Sequence, residues 1–457
     1  MRIKEKLERS KEKITAYGGS ILLRKLEDDL KLKQTLNRII HDSRPRSYKP
    51  SDIILPTILM LHTGGNCLED LARMAEDKML CSLHNLKHIP HPTTISRWCN
   101  YHGTDTSGES NNHPDKPDSP TLQALDRLLI TLARKSIHKS GQKNVTLDID
   151  WTGIETHKQE SKWSYKGKKS MGTLTGFIAE TGICVGNWFR NGNISPLDDN
   201  EPLLAHIISG LEQGNNIRIA RFRSDSAGYQ AKVINTCEAH NITFAIRGKM
   251  DAAVVKLISS IKETDWKPLI GKNGHQIPGQ KVASVIHTME KTEKSFRMVI
   301  VRKEKRQLKE TKKQETENTT DTRDILETNH FTYFATATNS ELPDSLLIHF
   351  YNNRGSCEQD IREAKYGFSL KHLPMSALRG NAVWSAIVML AYNLGILLKQ
   401  MELNIHPLSM RIQTIRYRLY QVPGKLVRIN GKLIVRLFCS KKRFAVFREA
   451  LLECSFG

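Results

Sequence analysis

Cysteine is sparse in this sequence and poorly arranged for chemistry. The eight cysteines, at 67, 81, 99, 184, 237, 357, 439 and 454, lie far apart, and none forms a Cys-x-x-Cys pair. That argues against a zinc-ligand set and a disulfide framework, and it suits reduced thiols in the cytosol. The 17 histidines are dispersed without metal-ligand spacing. An apolar signal core is also missing from the first residues, "MRIKEKLERSKEKITAYGG", which are densely charged. Long hydrophobic runs are absent. The most apolar stretch, "AVWSAIVMLAYNLGILL" at 382–398, is short for a membrane span and interrupted by Ser, Tyr, Asn and Gly. It is expected to be a buried helix, and no membrane partner is expected.

Acidic charge is in deficit. Against 48 Asp and Glu stand 69 Lys and Arg, a formal charge of +21. Such an excess calls for a polyanionic partner, nucleic acid before an anionic membrane surface. Residues 403–457 carry eleven Lys/Arg against two Glu, and the first fifty carry fourteen Lys/Arg against seven Asp/Glu. A protein gripping a duplex at several places would be charged in this way. The length of 457 residues, with 39% hydrophobic and 26% charged residues, fits a soluble globular chain of several domains.

Residues 1–101 read as a helical N-terminal DNA-binding region. "PSDIILPTILMLHTGG" and "CLEDLARMAEDKMLCSLHNL" carry apolar residues three and four apart, and "HPTTISRWCNYH" opens with Pro followed by Thr residues able to cap a helix. Short helices followed by one tipped with Thr, Ser and Arg97 suit a helix-turn-helix reader, although plain bundles share the pattern. The stretch 102–120, "HGTDTSGESNNHPDKPDSP", is a linker by composition.

From 121 to 249 the chain alternates a helix, strands and helices. "VTLDIDWT" sets Val145, Leu147, Ile149 and Trp151 on one face and Thr146, Asp148, Asp150 and Thr152 on the other. A hairpin turning at Glu180-Thr-Gly182, a strand ending at "SDSAGY", the helix "AKVINTCEAH" and the strand "ITFAIRG" complete a mixed α/β sheet. Residues 250–343 read as a β-rich insertion with a polar loop at 302–329. Helix returns at 344–402, and the basic region 403–457 holds a hairpin around Asn430-Gly431.

Carboxylates at strand ends are the candidates for chemistry. Phosphodiester transfer needs hard divalent cations held by a few carboxylates. Asp148 and Asp150 share a face, so spacing does not separate them, and an edge strand facing solvent is the plain alternative. Asp225 lies just past a strand terminus, where α/β sheets place ligands, though an Asx-turn or helix cap would also use it. In "YNNRGSCEQDIREAK", an unbroken helix would bring Tyr351, Arg354, Glu358 and Lys365 into one arc. The plain alternative there is a solvated stripe with an Arg354–Glu358 pair. Cys357 has no matching His and reads as incidental.

The Y-(2)-R-(3)-E-(6)-K spacing of those four residues resembles the signature of IS4-type DDE transposases. "LDIDWT", "FRNGN" at 189–193, "SDSAGY", "YNNRGSCEQDIREAK" and "RGNAVWSAIVMLAYNL" more narrowly resemble the IS1380 family, over most of 145–400. The resemblance implies an RNase H-like mixed-sheet core with a β-rich insertion, and a triad of Asp150, Asp225 and Glu358 holding two Mg²⁺, with Mn²⁺ as a substitute. It favours Asp150 over Asp148, because the family's Asp precedes x-Thr/Ser. It further implies that Tyr351, Arg354 and Lys365 hold DNA near the scissile phosphate and that Arg190 and Asn193 touch DNA. Relatives stack a Trp of the insertion on a flipped base, and Trp266 is the Trp available for that role, a core Trp being the plain alternative.

These readings converge on a bacterial insertion-sequence transposase, cytoplasmic and associated with the nucleoid. It would bind terminal inverted repeats, act on target DNA and work as a homodimer on paired ends. A non-catalytic repressor derived from a transposase, or an RNase H-like nuclease, would share much of this sequence.

Overall fold

Val145, Leu147 and Ile149 are wholly buried, and so is the other face of the same strand at Thr146 and Asp148. This strand, β1 (Asn144–Glu155), therefore lies inside a sheet, and the edge-strand alternative fails. It pairs antiparallel with β3 (Lys169–Ile178) and parallel with β5 (Arg218–Ser224).

The computed structural model describes residues 11–42, 44, 48–104, 114–214, 216–305, 330–401, 410–430 and 432–453. Most of the polar loop expected at 302–329 and the centre of the linker at 102–120 lie outside these residues, as does Gly431 of the C-terminal turn. The chain forms two compact units, one of residues 1–140, 156–161 and 362–457, the other of residues 141–155 and 162–361. These units cut across the segments drawn in sequence order.

The second unit is built on one ten-stranded sheet. Its first half runs β4 (Ile183–Asn191), β3, β1, β5, β6 (Thr243–Arg247), with β2 (Lys162–Trp163) beside the start of β3. β3 and β4 meet at a turn where Gly182 adopts φ +71°, which explains the glycine. Helices Asn200–Glu212 and Ala231–Ala239 follow β4 and β5. Three antiparallel strands followed by two helix–strand repeats, the last two strands parallel to the first, form an RNase H-like core. The helix 200–212 was not anticipated, although Leu203, Leu204, Ile207, Ile208 and Leu211 are spaced for one and are buried.

The β-rich stretch contributes β7 (Lys267–Ile270), β8 (Gln276–His287), β9 (Phe296–Glu304) and β10 (Phe331–Thr338). These strands extend the core sheet, because β10 pairs antiparallel with β6 through Thr338↔Ala245. Helix Asp344–Asn352 then packs Leu347 and Ile348 onto Ala245, Leu269, Val282, Val299 and Val301.

In the first unit, helix Leu378–Gln400 is buried along its whole apolar length, as its composition predicts, against helices Pro50–Thr63, Pro92–His102 and Pro120–Lys139. Helix Pro92–His102 is capped by His91, whose Nδ1 accepts from Thr93 N, rather than by a Thr side chain. It buries Ile95, Trp98 and Cys99 and leaves Arg97 exposed. The C-terminal hairpin pairs β11 (Gly424–Ile429) with β12 (Lys432–Leu437), and a final helix spans Lys441–Glu453.

Within this unit His62 is fully enclosed. Its Nε2 lies 2.9 Å from the Ala391 carbonyl and its Nδ1 2.9 Å from the Tyr420 hydroxyl. Since a carbonyl only accepts, Nε2 carries the proton and Nδ1 accepts from Tyr420, which is the neutral ring. The Arg416 guanidinium donates to the carbonyls of His62, Leu61 and Gly367, satisfying helix-end acceptors. Burial first, and Arg416 second, push the His62 pKa down to about 3. The unfolded chain, with a pKa near 6.5, binds the proton more readily, so stability is complete above that value and declines as pH falls towards 3. Going from pH 7 to pH 5 should cost about 2 kcal/mol through this one group. Denaturant unfolding at both pH values, with His62→Gln as control, checks it: the variant should lose clearly less stability than the parent.

Candidate active site

β1 and β5 run parallel with Asp148 opposite Arg223 and Ile149 opposite Ser224. Side chains two residues apart share a face. Along this face, Asp148 is followed on β1 by Asp150, and Arg223 on the neighbouring strand by Asp225, one residue beyond Ser224 at the end of β5. Two neighbouring rungs thus carry opposite electrostatics.

The first rung is closed. Arg223 Nε and Nη2 donate to the two oxygens of Asp148, both at 2.7 Å, and Asp148 has no exposed surface. Arg223 Nη1 also donates to the Phe350 carbonyl, 2.8 Å away. Asp148 is consumed by this pairing, which separates it from Asp150 on geometry that spacing along the sequence did not provide.

The second rung is open. Asp225 follows β5 and accepts from Ala227 N at 2.9 Å, capping the short turn Ser226–Gly228. The cap anticipated for this residue exists, and it engages Oδ1. Asp150 is mostly buried, and its carboxyl is pushed up to about 6. Burial is the main cause. Arg354 opposes it, and Asp225 and Glu358 both add to it, so each of these two carboxylates lies within electrostatic reach of Asp150.

Glu358 arrives from the helical segment, which is not one helix. Helix Asp344–Asn352 ends, residues 353–354 turn, and a new helix runs Gly355–Arg362 before a π-helical turn, Glu363–Gly367. At the joint the bonds are three residues apart, Arg354 N to Tyr351 O and Cys357 N to Arg354 O. Two asparagines and a glycine, all weak helix formers, occupy this stretch. Cys357 and Ile361 anchor the new helix by their burial, and Glu358 stands out with its side chain 65% exposed. The single arc expected for Tyr351 through Lys365 therefore does not form as drawn. Lys365 belongs to the π-helical turn and to the first compact unit.

Arg354 joins two of the carboxylates. Its Nη2 lies 3.0 Å from Asp150 Oδ2 and its Nη1 3.2 Å from Glu358 Oε1, so the anticipated Arg354–Glu358 pair is present. Burial works against its charge, but Asp150 foremost, with Tyr351 and Asp225, raises its pKa above the ordinary value. Its Nε is buried without a hydrogen-bond partner. Tyr351 packs on the insertion's core cluster, and burial raises its hydroxyl pKa against the pull of Arg354 and Arg247.

Among the described residues, no group of three or more His, Cys, Asp or Glu stands ready to hold a metal ion. The donor chemistry nonetheless suits a hard divalent cation: the converging groups are carboxylates, and their mutual repulsion already disfavours ionisation of Asp150. Cys357 is buried, and its thiol is pushed well up, chiefly by burial, which agrees with an inert role.

Other candidates fall elsewhere. Arg190 is buried in β4. Its guanidinium donates to Asp199 at 2.6 Å and to the carbonyls of Asp198 and Ser195, and it lies over the Trp151 ring. This anchors a loop inside the fold rather than offering a surface cation. Asn193 is exposed at the turn after β4. Trp266 is buried, with the Arg302 guanidinium 4.6 Å over its ring. Arg223 and Arg247 escaped notice in the sequence, and "RFRSD" contained the signal for the first: Arg223 precedes Asp225 by two positions on one face.

The family described as transposase DDE domain group 1 matches residues 4–454. The chain belongs to that family. As a DDE transposase it is an enzyme of the polynucleotidyl transferase and endonuclease type. Among solved structures, it is similar to a piggyBac transposase synaptic complex with hairpin DNA, at 10% identity and a TM-score of 0.44, over 88% of this chain and 79% of that one. The Drosophila P element transposase strand transfer complex gives 13% identity and a TM-score of 0.24, over 54% of this chain and 53% of that one. The Mos1 strand transfer complex gives 12% and 0.17, over 45% and 60%. These likenesses are distant, and the RNase H-like fold here rests on its own strand order. No match is found among curated proteins.

The two rungs of this transposase make opposite demands on stability. Asp148→Asn leaves Arg223 buried opposite a neutral amide and should cost about 3–5 kcal/mol. Asp150→Asn relieves carboxylate repulsion while weakening one Arg354 pair, and should be close to neutral. Urea unfolding of both variants decides it, and equal losses would contradict the assignment of the rungs.

Proposed function

We propose that this DDE transposase is the enzyme of an IS1380-type, IS4-related bacterial insertion sequence, acting in the cytoplasm on nucleoid DNA. It binds the element's terminal inverted repeats, cleaves phosphodiesters at the ends and joins the freed ends to target DNA. The observation supporting this reading is that Asp150 lies under the influence of both Asp225 and Glu358, which come from separate elements 75 and 133 residues apart in succession.

In this reading Asp150, Asp225 and Glu358 hold two Mg²⁺, which Mn²⁺ can replace. When bound, such ions polarise the scissile phosphate and make a water, and later a 3′-hydroxyl, a competent nucleophile. The chain's own residues position the DNA. Arg354, held between Asp150 and Glu358, supplies the positive charge that meets a phosphate, and Tyr351 orients the strand beside it. Lys365 is a further DNA-binding residue in this reading. Repeat recognition falls to the N-terminal helices, with the exposed Arg97 on helix Pro92–His102 among the contacts. Two protomers on paired ends complete the assembly, since both ends must be cut together.

Asp225→Ala should abolish Mg²⁺-dependent cleavage of repeat-bearing duplex, while a mobility-shift assay finds repeat binding within about threefold of the parent. Cleavage at the parent's rate would refute the triad. Retarded but uncut DNA with the parent protein in Mg²⁺ and in Mn²⁺ would favour a repressor.

A further inference from the structure

β2 and the start of β3 form a hairpin that the proposed chemistry leaves without a task. Lys162 pairs with Ser170 and Trp163 with Lys169. The turn between them is closed by Ser164 N to the Lys168 carbonyl, 2.8 Å, and by Gly167 at φ +68°. The base is fixed by Lys162 N donating to Asn191 Oδ1 at 2.9 Å, so the hairpin is held at its root. At its tip Trp163 is 64% exposed and Tyr165 69% exposed, the most exposed pair of aromatic residues so close together among the described residues. Lys166 lies over the Tyr165 ring, and Lys168 makes only a solvent-exposed pair with Glu155.

Single exposed aromatics need no explanation, but two within three residues at the end of an anchored turn do. The composition discriminates between partners. Protein interfaces are enriched in Trp and Tyr but depleted in Lys, and this tip carries Lys162, Lys166, Lys168 and Lys169 in eight residues. Lysines along a backbone track with aromatic faces between them are the pattern of a surface that stacks unpaired bases. The register also gives a distance. Asp150 is opposite Thr175, and Trp163 is opposite Lys169, six residues along β3. That is about 20 Å of strand.

From these observations we infer that the Lys162–Lys169 hairpin is a binding site for unpaired DNA bases, with Trp163 and Tyr165 as stacking surfaces and the lysines on the phosphates, about 20 Å along β3 from the level of Asp150. It rests on the proposed function only in taking DNA as the ligand.

The test uses the full-length protein, a duplex of mixed sequence, and the same duplex carrying a short single-stranded arm. Trp163→Ala/Tyr165→Ala should weaken binding of the armed probe about tenfold or more, since each stacked base contributes on that order. Binding of the plain duplex should stay within about twofold, with the thermal transition unchanged because both side chains are exposed. Lys166→Ala/Lys169→Ala should instead lower the salt dependence of armed-probe binding by about 0.7 per lysine. Parent-like affinity of the aromatic variant for the armed probe overturns the inference. So does parent-like affinity accompanied by loss of self-association in sedimentation, which would assign the tip to a second copy of the chain. Cleavage is read separately: failure of the parent to cut counts against the proposed cleavage function and leaves the arm-binding comparison intact.

Discussion

The buried pair between Asp148 and Arg223 sets the geometry on which the rest of the second unit depends. A bidentate guanidinium–carboxylate contact has little tolerance in direction, and with both groups out of solvent a slip of one residue would strand two charges. It therefore fixes the register of β1 against β5. The register in turn brings Asp150 beside Asp225, an arrangement that like charges would not choose. The structure holds the second rung together by satisfying the first, and Arg354 supplies the local positive charge in between. A cluster of this kind is destabilising in itself, as sites built for chemistry often are.

The same logic explains why Arg190 and Trp266 are not surface groups. Both fill positions where a planar cation or ring is packed by neighbours on each side: Arg190 between Trp151 and the 195–199 loop, Trp266 beneath Arg302. A cationic residue in a strongly basic chain invites a nucleic-acid role, but charge counts say nothing about where a guanidinium is directed. The exposed aromatics of the β2–β3 tip are the opposite case, apolar residues placed where packing gives them nothing.

Much of the core was readable because its signals are local. Alternation marked β1, the turn at Glu180-Thr-Gly182 marked the β3–β4 hairpin, and the Asp225 cap followed from its place after β5. The Tyr351–Lys365 segment was readable as helical and as carrying the third carboxylate, yet its break at 353–354 was not, because isolated spacing assumes a helix that Asn and Gly do not sustain. Helix 200–212 had the right apolar spacing and was overlooked behind a Gly-rich and Pro-rich neighbourhood. The joining of β10 to β6 was not legible at all: pairing between strands so distant in sequence is decided by tertiary packing, which no short window encodes.

That long-range pairing has a temporal side. The outer edge of β6 is covered only by β10, and Phe331 lies 84 positions beyond Arg247. At a synthesis rate of about 5–20 residues per second, the ribosome needs roughly 4–17 s to deliver the missing neighbour. Throughout that interval the parallel half of the sheet has an unpaired row of backbone donors and acceptors. The nascent polypeptide is thus most open to mispairing midway through its own production, well before the finished enzyme has any DNA to cut.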